Sequence, residues 1–427
     1  MRRSLRIASV VTTLAAAACA AVGEEGSSPD PGPSTVDAST IDASTIDAST
    51  VDDGGLTSDD TCSKDGWCKT TLPDVDLSIQ DIWPLKGRAF AIAASAVNGI
   101  KVLEWDDSVA EWVYIDDGSQ NEAGVGDSIA KIWAPNDSEV YYAVAPSSSR
   151  NSPRASYIYH GTRSSKSPAS WTWTRSLFSP PVGSPAIRYN PATVFGVWGV
   201  GGDVYAWYVN TVFRLRGSPG APEWVPEYTL DGGEDTMFLF GVNGTSRDDL
   251  WLVGARKRDW EQCDVIVHKT AAGYRTVTDG TLADPDGNTV PCEVGSGLIE
   301  IGGYGDLSSV QSPSVGEIFS IKGADIARIA RGKDGDYSVH WSSPSVAVAS
   351  ASWLSVWAPS TTETWLSGYG IIVRGSNFGV DGGTYEVSSI ALNGAPLRRQ
   401  FYQVRGTSSA NLWAVGEGYA LHKSSSK

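Results

Sequence analysis

Methionine and histidine are scarce, with two and four residues in a chain of 427. Long helix-forming runs are also few, and together these argue against a helical protein. Basic residues number 33 against 49 acidic ones, a formal net charge of −16. That deficit excludes the positive surface that nucleic-acid binding needs. No stretch beyond the N-terminus is long and apolar enough to span a bilayer as a helix. The chain also lacks a Gly-x-Ser-x-Gly elbow, a glycine-rich phosphate loop, a nicotinamide fingerprint, a haem motif and any Cys-x-x-Cys pair. No cofactor and no metal site is therefore expected.

The acids that are present are unevenly placed. Residues 1–23 hold Arg2, Arg3 and Arg6 and no acid, whereas 24–60 hold ten acids and no Lys or Arg. The remaining 30 basic and 39 acidic residues leave the rest of the chain only mildly acidic. Met1–Arg6 is basic, Ile7–Ala18 apolar, and Ala18-Cys19-Ala20 small. This is the pattern of a secretory signal over residues 1–20. Ala16-Ala17-Ala18-Cys19 resembles the bacterial lipobox, in which the cysteine takes a diacylglycerol, although Ala16 stands where Leu is usual. Ordinary cleavage after Ala20 is the alternative. Over 21–60, Ser-Thr-(Val/Ile)-Asp recurs from Ser34, Ser39, Ser44 and Ser49. One small aliphatic per unit cannot offset the entropy of ordering, so the composition predicts a disordered spacer. Its r.m.s. reach is roughly 30–36 Å.

Four cysteines remain downstream: Cys62, Cys68, Cys263 and Cys292. An even count in an exported protein predicts two disulfides, with Cys62–Cys68 and Cys263–Cys292 the local pairing among three possible connectivities. A zinc site is the rival, and no histidine lies at ligand spacing for it.

The strongest signal is repetition across 61–427. An aliphatic residue, two others and a second apolar residue precede an anchor, as in Ile79-Gln-Asp-Ile82-Trp83, Ile129-Ala-Lys-Ile132-Trp133 and Leu239-Phe-Gly-Val242-Asn243. Anchors fall at Trp83, Trp133, Trp198, Asn243, Gln311, Trp357 and Arg405, at spacings between 45 and 68 residues. Gly, Asn, Asp and Ser clusters then mark a hairpin. An aromatic follows (Phe90, Tyr141, Tyr205, Trp251, Phe319, Trp365, Trp413) within a second apolar run. A third strand follows in most copies, then a fourth near Trp112, Trp171, Trp224, Tyr274, Trp341 or Tyr385. Four short antiparallel strands at this period predict an all-β fold, a single seven-bladed β-propeller. The last copy lacks a fourth strand, and Trp67–Leu72 precedes the first anchor. Lending that N-terminal strand to the last blade would close the ring.

Val197-Trp198-Gly199, Asp249-Leu250-Trp251-Leu-Val-Gly254 and Asn411-Leu412-Trp413-Ala-Val-Gly416 carry a resemblance. It is to the secreted or surface propeller proteins of bacteria that repeat a "VWG…DLWAVG…ILH" pattern, many of them lipoproteins. The resemblance covers most of the chain and implies binding or scaffolding rather than one enzyme activity.

Candidate chemistry is thin. His160, His268 and His422 end third strands of separate blades, too far apart to share a metal, and with His340 they read as structural. The nearest approach to a sialidase loop, Ser165–Trp171, lacks its Asp and Gly. Asp284-Pro-Asp286-Gly-Asn288 offers oxygen ligands for Ca²⁺, but Gly287 comes too early for the helix–loop–helix pattern, and a polar turn is the plainer reading. Loops elaborate one face only, at Pro146–Ser156, Pro180–Ala192, Arg256–Gln262 and Thr278–Gly297. There Arg150, Arg154, Arg256, Lys257, Arg258 and Trp260 are expected to form a basic, aromatic, ligand-binding fringe, against the alternative of a solvated rim. The expectation is a non-enzymatic monomer that binds a protein or glycan through that face. It would be exported as an outer-membrane or cell-surface lipoprotein, or secreted or periplasmic, and would meet the membrane only through its lipid. A polysaccharide-acting hydrolase or lyase is the alternative function, and a purely structural surface protein a third.

Overall fold

The computed structural model describes residues 62–424, apart from 147–154, 166–169, 180–190, 219–220, 234, 259–260, 282–291, 302–305, 346–351, 379–382 and 393–394. The expected signal sequence, Cys19 and the acidic spacer lie outside the described residues.

Strands follow one another through hairpins into seven antiparallel sheets, spanning 78–114, 128–178, 195–229, 236–294, 307–342, 355–388 and 401–424. These are blades 1 to 7 of a β-propeller, with strands running from the axis outward in chain order. The exception closes the ring. Trp67–Lys69 pairs antiparallel with Tyr419–Ser424, setting Trp67 opposite Lys423, and supplies the outer strand of blade 7. Trp67 is fully buried, and its indole N–H donates to Ser388 Oγ of blade 6 at 2.9 Å. Seven blades and the borrowed strand were both legible in the repeat.

Burial explains the strand patterns. A second strand is sandwiched between neighbouring blades, so Val140 to Ala145 are all buried. A fourth strand sits at the perimeter and alternates, as in Tyr337–Ser342. Tryptophans fill the wedges between blades: Trp413 of blade 7 lies 5.4 Å from Trp105 and 5.3 Å from Trp112 of blade 1. Edge-on packing of such rings adds to the area they bury.

Blade 4 departs from the expected four strands. A fifth, Glu293–Val294, pairs with Gly280 and Thr281. The Cys263–Cys292 disulfide carries it there, and the other disulfide, Cys62–Cys68, anchors the ring-closing strand. A Cβ at Gly280 would stand 2.8 Å from the Cβ atoms of both Cys263 and Cys292, so only glycine admits the bridge.

One polar arrangement recurs in all seven blades. The second-strand aromatic lies directly opposite a polar third-strand residue: Phe90–Glu104, Tyr141–His160, Tyr205–Arg214, Trp251–His268, Phe319–Arg328, Trp365–Arg374 and Trp413–His422. Two residues before each aromatic stands that residue's partner. Arg88 pairs with Glu104, and Asp203 with Arg214. Glu139 lies 3.8 Å from His160, Asp249 2.7 Å from His268, Glu317 2.7 Å from Arg328, Glu363 2.9 Å from Arg374 and Asn411 2.8 Å from His422. The three histidines stack on their rings at 4.2, 3.9 and 4.1 Å. Each is thus packed within its own blade, whereas His340 is exposed. In blade 4 the arrangement crosses to blade 5, because Asp249 accepts the Gly316 amide at 3.0 Å and His268 Nδ1 meets the Tyr337 hydroxyl at 2.9 Å. Burial pushes the Asp249 carboxyl up, but hydrogen bonds from His268, Thr245 and Gly316 outweigh it and hold the pKa below the ordinary value.

Burial should grade these pairs. Asp249→Ala strands a buried histidine and is expected to cost about 3–5 kcal/mol. Glu363→Ala, whose partner Arg374 is 48% exposed, is expected to cost about 0–1 kcal/mol. Chemical denaturation checks both, and equal costs would contradict the grading. The histidines also predict a pH response. Burial lowers the His160 and His422 pKa values despite the pull of Glu139 and Asp107. The unfolded chain therefore takes up protons first below about pH 6.5, and stability falls as pH drops through the lowered folded values. The melting temperature should decline between pH 7 and 5.5, and a His160→Gln/His422→Gln variant should flatten that decline.

Candidate functional site

The innermost strands do not alternate cleanly. Their register against the second strand shifts between Ile79 and Asp81, Ile129 and Ile132, Leu239 and Gly241, Ser308 and Val310, and Phe401 and Gln403. Each shift is a bulge at the same level of the blade, and a bulge re-aims a side chain. Gln80, Lys131, Phe240, Ser309 and Tyr402 lie at these bulges; all are half-buried and all line one central cavity of about 540 Å³. Ser309 has φ +49°, a left-handed backbone costly for a residue with a Cβ. Leu354, 37% exposed, joins the ring from blade 6.

Inner strands are sheet edges, and a side chain from the preceding blade satisfies several of their amides. Asp81 Oδ2 accepts the Ile132 amide at 3.0 Å, and Asn243 Oδ1 the Ser312 amide at 2.9 Å. Ser309 Oγ accepts from Val356 at 2.9 Å, and Ser355 Oγ from Val404 at 2.7 Å. Between blades 7 and 1 the direction reverses: Arg405 Nη1 donates to the Ile82 carbonyl at 3.0 Å.

Arg405 is one of two cations lining the cavity, with Lys131. Its guanidinium lies 4.7 Å from the Trp83 ring centre and 3.5 Å from Asp81 Oδ1, an oxygen that accepts no hydrogen bond. Burial outweighs Asp81 and lowers the Arg405 pKa. Lys131 forms no ion pair or hydrogen bond with any described residue. Tyr402 donates to Glu417 at 3.1 Å, and burial together with that bond raises its pKa. Asp306 lines the same cavity with a buried Oδ1 that has no hydrogen-bond partner. Burial and the neighbouring Asp264 raise the Asp306 pKa against the pull of Lys257 and Lys322. Asp264 is paired with Lys322.

The expected fringe divides. Arg150, Arg154 and Trp260 lie outside the described residues, as does the Asp284–Asn288 segment. Arg256–Gln262 is no loop insertion but the end of a long hairpin, Asp249–Arg258 with Glu261–Thr270, in which Arg258 opposes Glu261. Arg256 is 8% exposed, not solvated. Its guanidinium is held between Asp279 at 2.9 Å and Asp235 at 3.1 Å, with the Gly232 carbonyl at 2.9 Å. Lys257 is half-buried and within the electrostatic reach of Asp306, so it belongs near the cavity. Among the described residues, no group of three or more His, Cys, Asp and Glu is placed to hold a metal.

No family model matches the sequence, and no curated protein has a detectably similar sequence. Among solved structures the chain is similar to virginiamycin B lyase from Staphylococcus aureus, at 12% identity and a TM-score of 0.49 over 84% of this chain and 97% of that one. It is also similar to the extracellular domain of the hybrid two-component system BT3049 from B. thetaiotaomicron, at 8% identity and a TM-score of 0.48 over 84% of this chain and 41% of that one. Likeness at this level says nothing of function.

Arg256 can be assigned by experiment. Arg256→Ala leaves Asp235 and Asp279 facing each other and is expected to cost about 3–5 kcal/mol. An unchanged denaturation midpoint would return Arg256 to the rim.

Proposed function

We propose that this chain is an exported propeller, anchored through Cys19, that binds a glycan or protein without chemical turnover at its loop-rich face. Two disulfides suit a chain that folds in an oxidising compartment. The observation that carries the binding reading is the convergence of five inner-strand bulges on one cavity. Half-exposed Phe240 and Tyr402 offer ring faces, Gln80 an amide and Lys131 a charge, the mixture of apolar lining and few polar groups that binding sites use. Lys257, Arg258, Trp260, Arg150 and Arg154, the fringe expected from the sequence, are proposed to extend this reading. Glycan is the favoured class, because sugar rings stack on aromatic faces and bond amides and hydroxyls.

The hydrolase or lyase reading keeps one observation, the unpartnered carboxyl oxygen of Asp306 in the same cavity. One experiment addresses both. A Phe240→Ala/Tyr402→Ala variant should lose about tenfold or more in glycan capture with its thermal unfolding unchanged, and the wild type should release no new chain ends. Undiminished capture would remove the cavity from the proposal. Chain ends that disappear in Asp306→Asn would replace binding with catalysis.

A further inference from the structure

The charged groups lining the cavity are unequally engaged, and that selects among glycans. Its lining holds two cations, Lys131 and Arg405, and two carboxyls, of which Asp81 is fully buried, lies 3.5 Å from Arg405 and is engaged by the Ile132 amide. The other lining carboxyl, Asp306, interacts with Asp264, Lys257 and Lys322. The four formal charges cancel; what distinguishes them is engagement, since Asp81 already accepts the Ile132 amide whereas Lys131 has no ion pair or hydrogen bond with any described residue.

Arg405 shows where the ligand's charge would go. Nη1 holds the Ile82 carbonyl, while Nε and Nη2 donate to no described residue. The side chain is 16% exposed, and Arg405 lines the cavity. One planar edge of the guanidinium is thus presented to the cavity, backed by Trp83. That edge matches the two oxygens of a carboxylate, and such a bidentate bond is strong where water is excluded. We infer that the cavity takes a carboxylate-bearing saccharide of the uronic acid class, its carboxylate on Nε and Nη2 of Arg405, Lys131 beside it, and its ring against Phe240 or Tyr402. This rests on the binding reading above and narrows it to acidic sugars.

Calorimetric titration of the intact mature protein with a galacturonic acid trisaccharide, its methyl ester and a sulfated neutral trisaccharide tests the inference. The free acid should bind at least tenfold more tightly than either other probe, with an affinity that falls as salt is raised. Lys131→Gln, which breaks no hydrogen bond or ion pair with a described residue, should weaken the free acid about tenfold and reduce the salt dependence. Arg405→Lys keeps the charge but loses the fork, and should weaken the free acid further while leaving the ester unaffected. Its thermal unfolding is followed in parallel because Arg405 also bridges blades 7 and 1. Equal binding of acid and ester, or preference for the sulfated sugar, overturns the inference and leaves glycan binding standing. An unchanged affinity in Lys131→Gln also counts against it. Failure of every sugar to bind overturns the inference together with the glycan part of the binding reading.

Discussion

A polar side chain facing an aromatic ring across two strands, and gripped by a partner two residues upstream of that ring, is the contact on which this propeller depends. It locks the second strand to the third in all seven blades. The chemistry varies: histidine on tryptophan in blades 4 and 7, arginine opposite tyrosine, phenylalanine or tryptophan in blades 3, 5 and 6, and a reversed Arg88–Glu104 pair in blade 1. The register does not vary, although in blade 2, where His160 stacks on Tyr141, Glu139 stands 3.8 Å away and makes no hydrogen bond to it. Because a one-residue slip in an antiparallel pair turns every side chain to the opposite face, such a lock fixes which residues meet the neighbouring blade. In five blades the inner strand bulges beside it, at the level of the cavity ring.

Much of the architecture was legible because propeller blades are local in sequence. Aromatic spacing, turn clusters and the strand before Trp83 were enough to derive seven blades and the closure by Trp67–Lys69. Two features were in the sequence but not read. The inner-strand motif places apolar residues three apart, Ile79 and Ile82 or Leu239 and Val242, where a regular half-buried strand would place them two apart. That extra residue is the bulge, and it marks Gln80 and Phe240 as cavity residues. Likewise the residue two before each aromatic is Arg88, Glu139, Asp203, Asp249, Glu317, Glu363 or Asn411, polar in every copy.

The site itself was not legible. Charge counting along Arg256-Lys257-Arg258 suggests an exposed basic stripe, because exposure is the ordinary state of such residues. Strand alternation instead turns Arg256 inward onto Asp235 and Asp279, which lie 21 and 23 residues away. Arg405 was singled out only as the last anchor. That it faces the cavity follows from its ring-closing bond to Ile82, a contact 323 residues distant that no local pattern reports.

The pairing of the first described strand with the last has a temporal side. Thr70 bonds Ala420 across 350 residues, so the seventh sheet cannot form until nearly the whole polypeptide has been delivered. A chain emerging from its N-terminus would stack its early sheets as an open arc and stay incomplete until the final hairpin arrives. Contacts of such long sequence separation form slowly, since their loop entropy must be met first. The Cys62–Cys68 loop is the opposite case: six residues apart, it can be oxidised early. The strand that seals the circle is then already shaped while it waits for its partner.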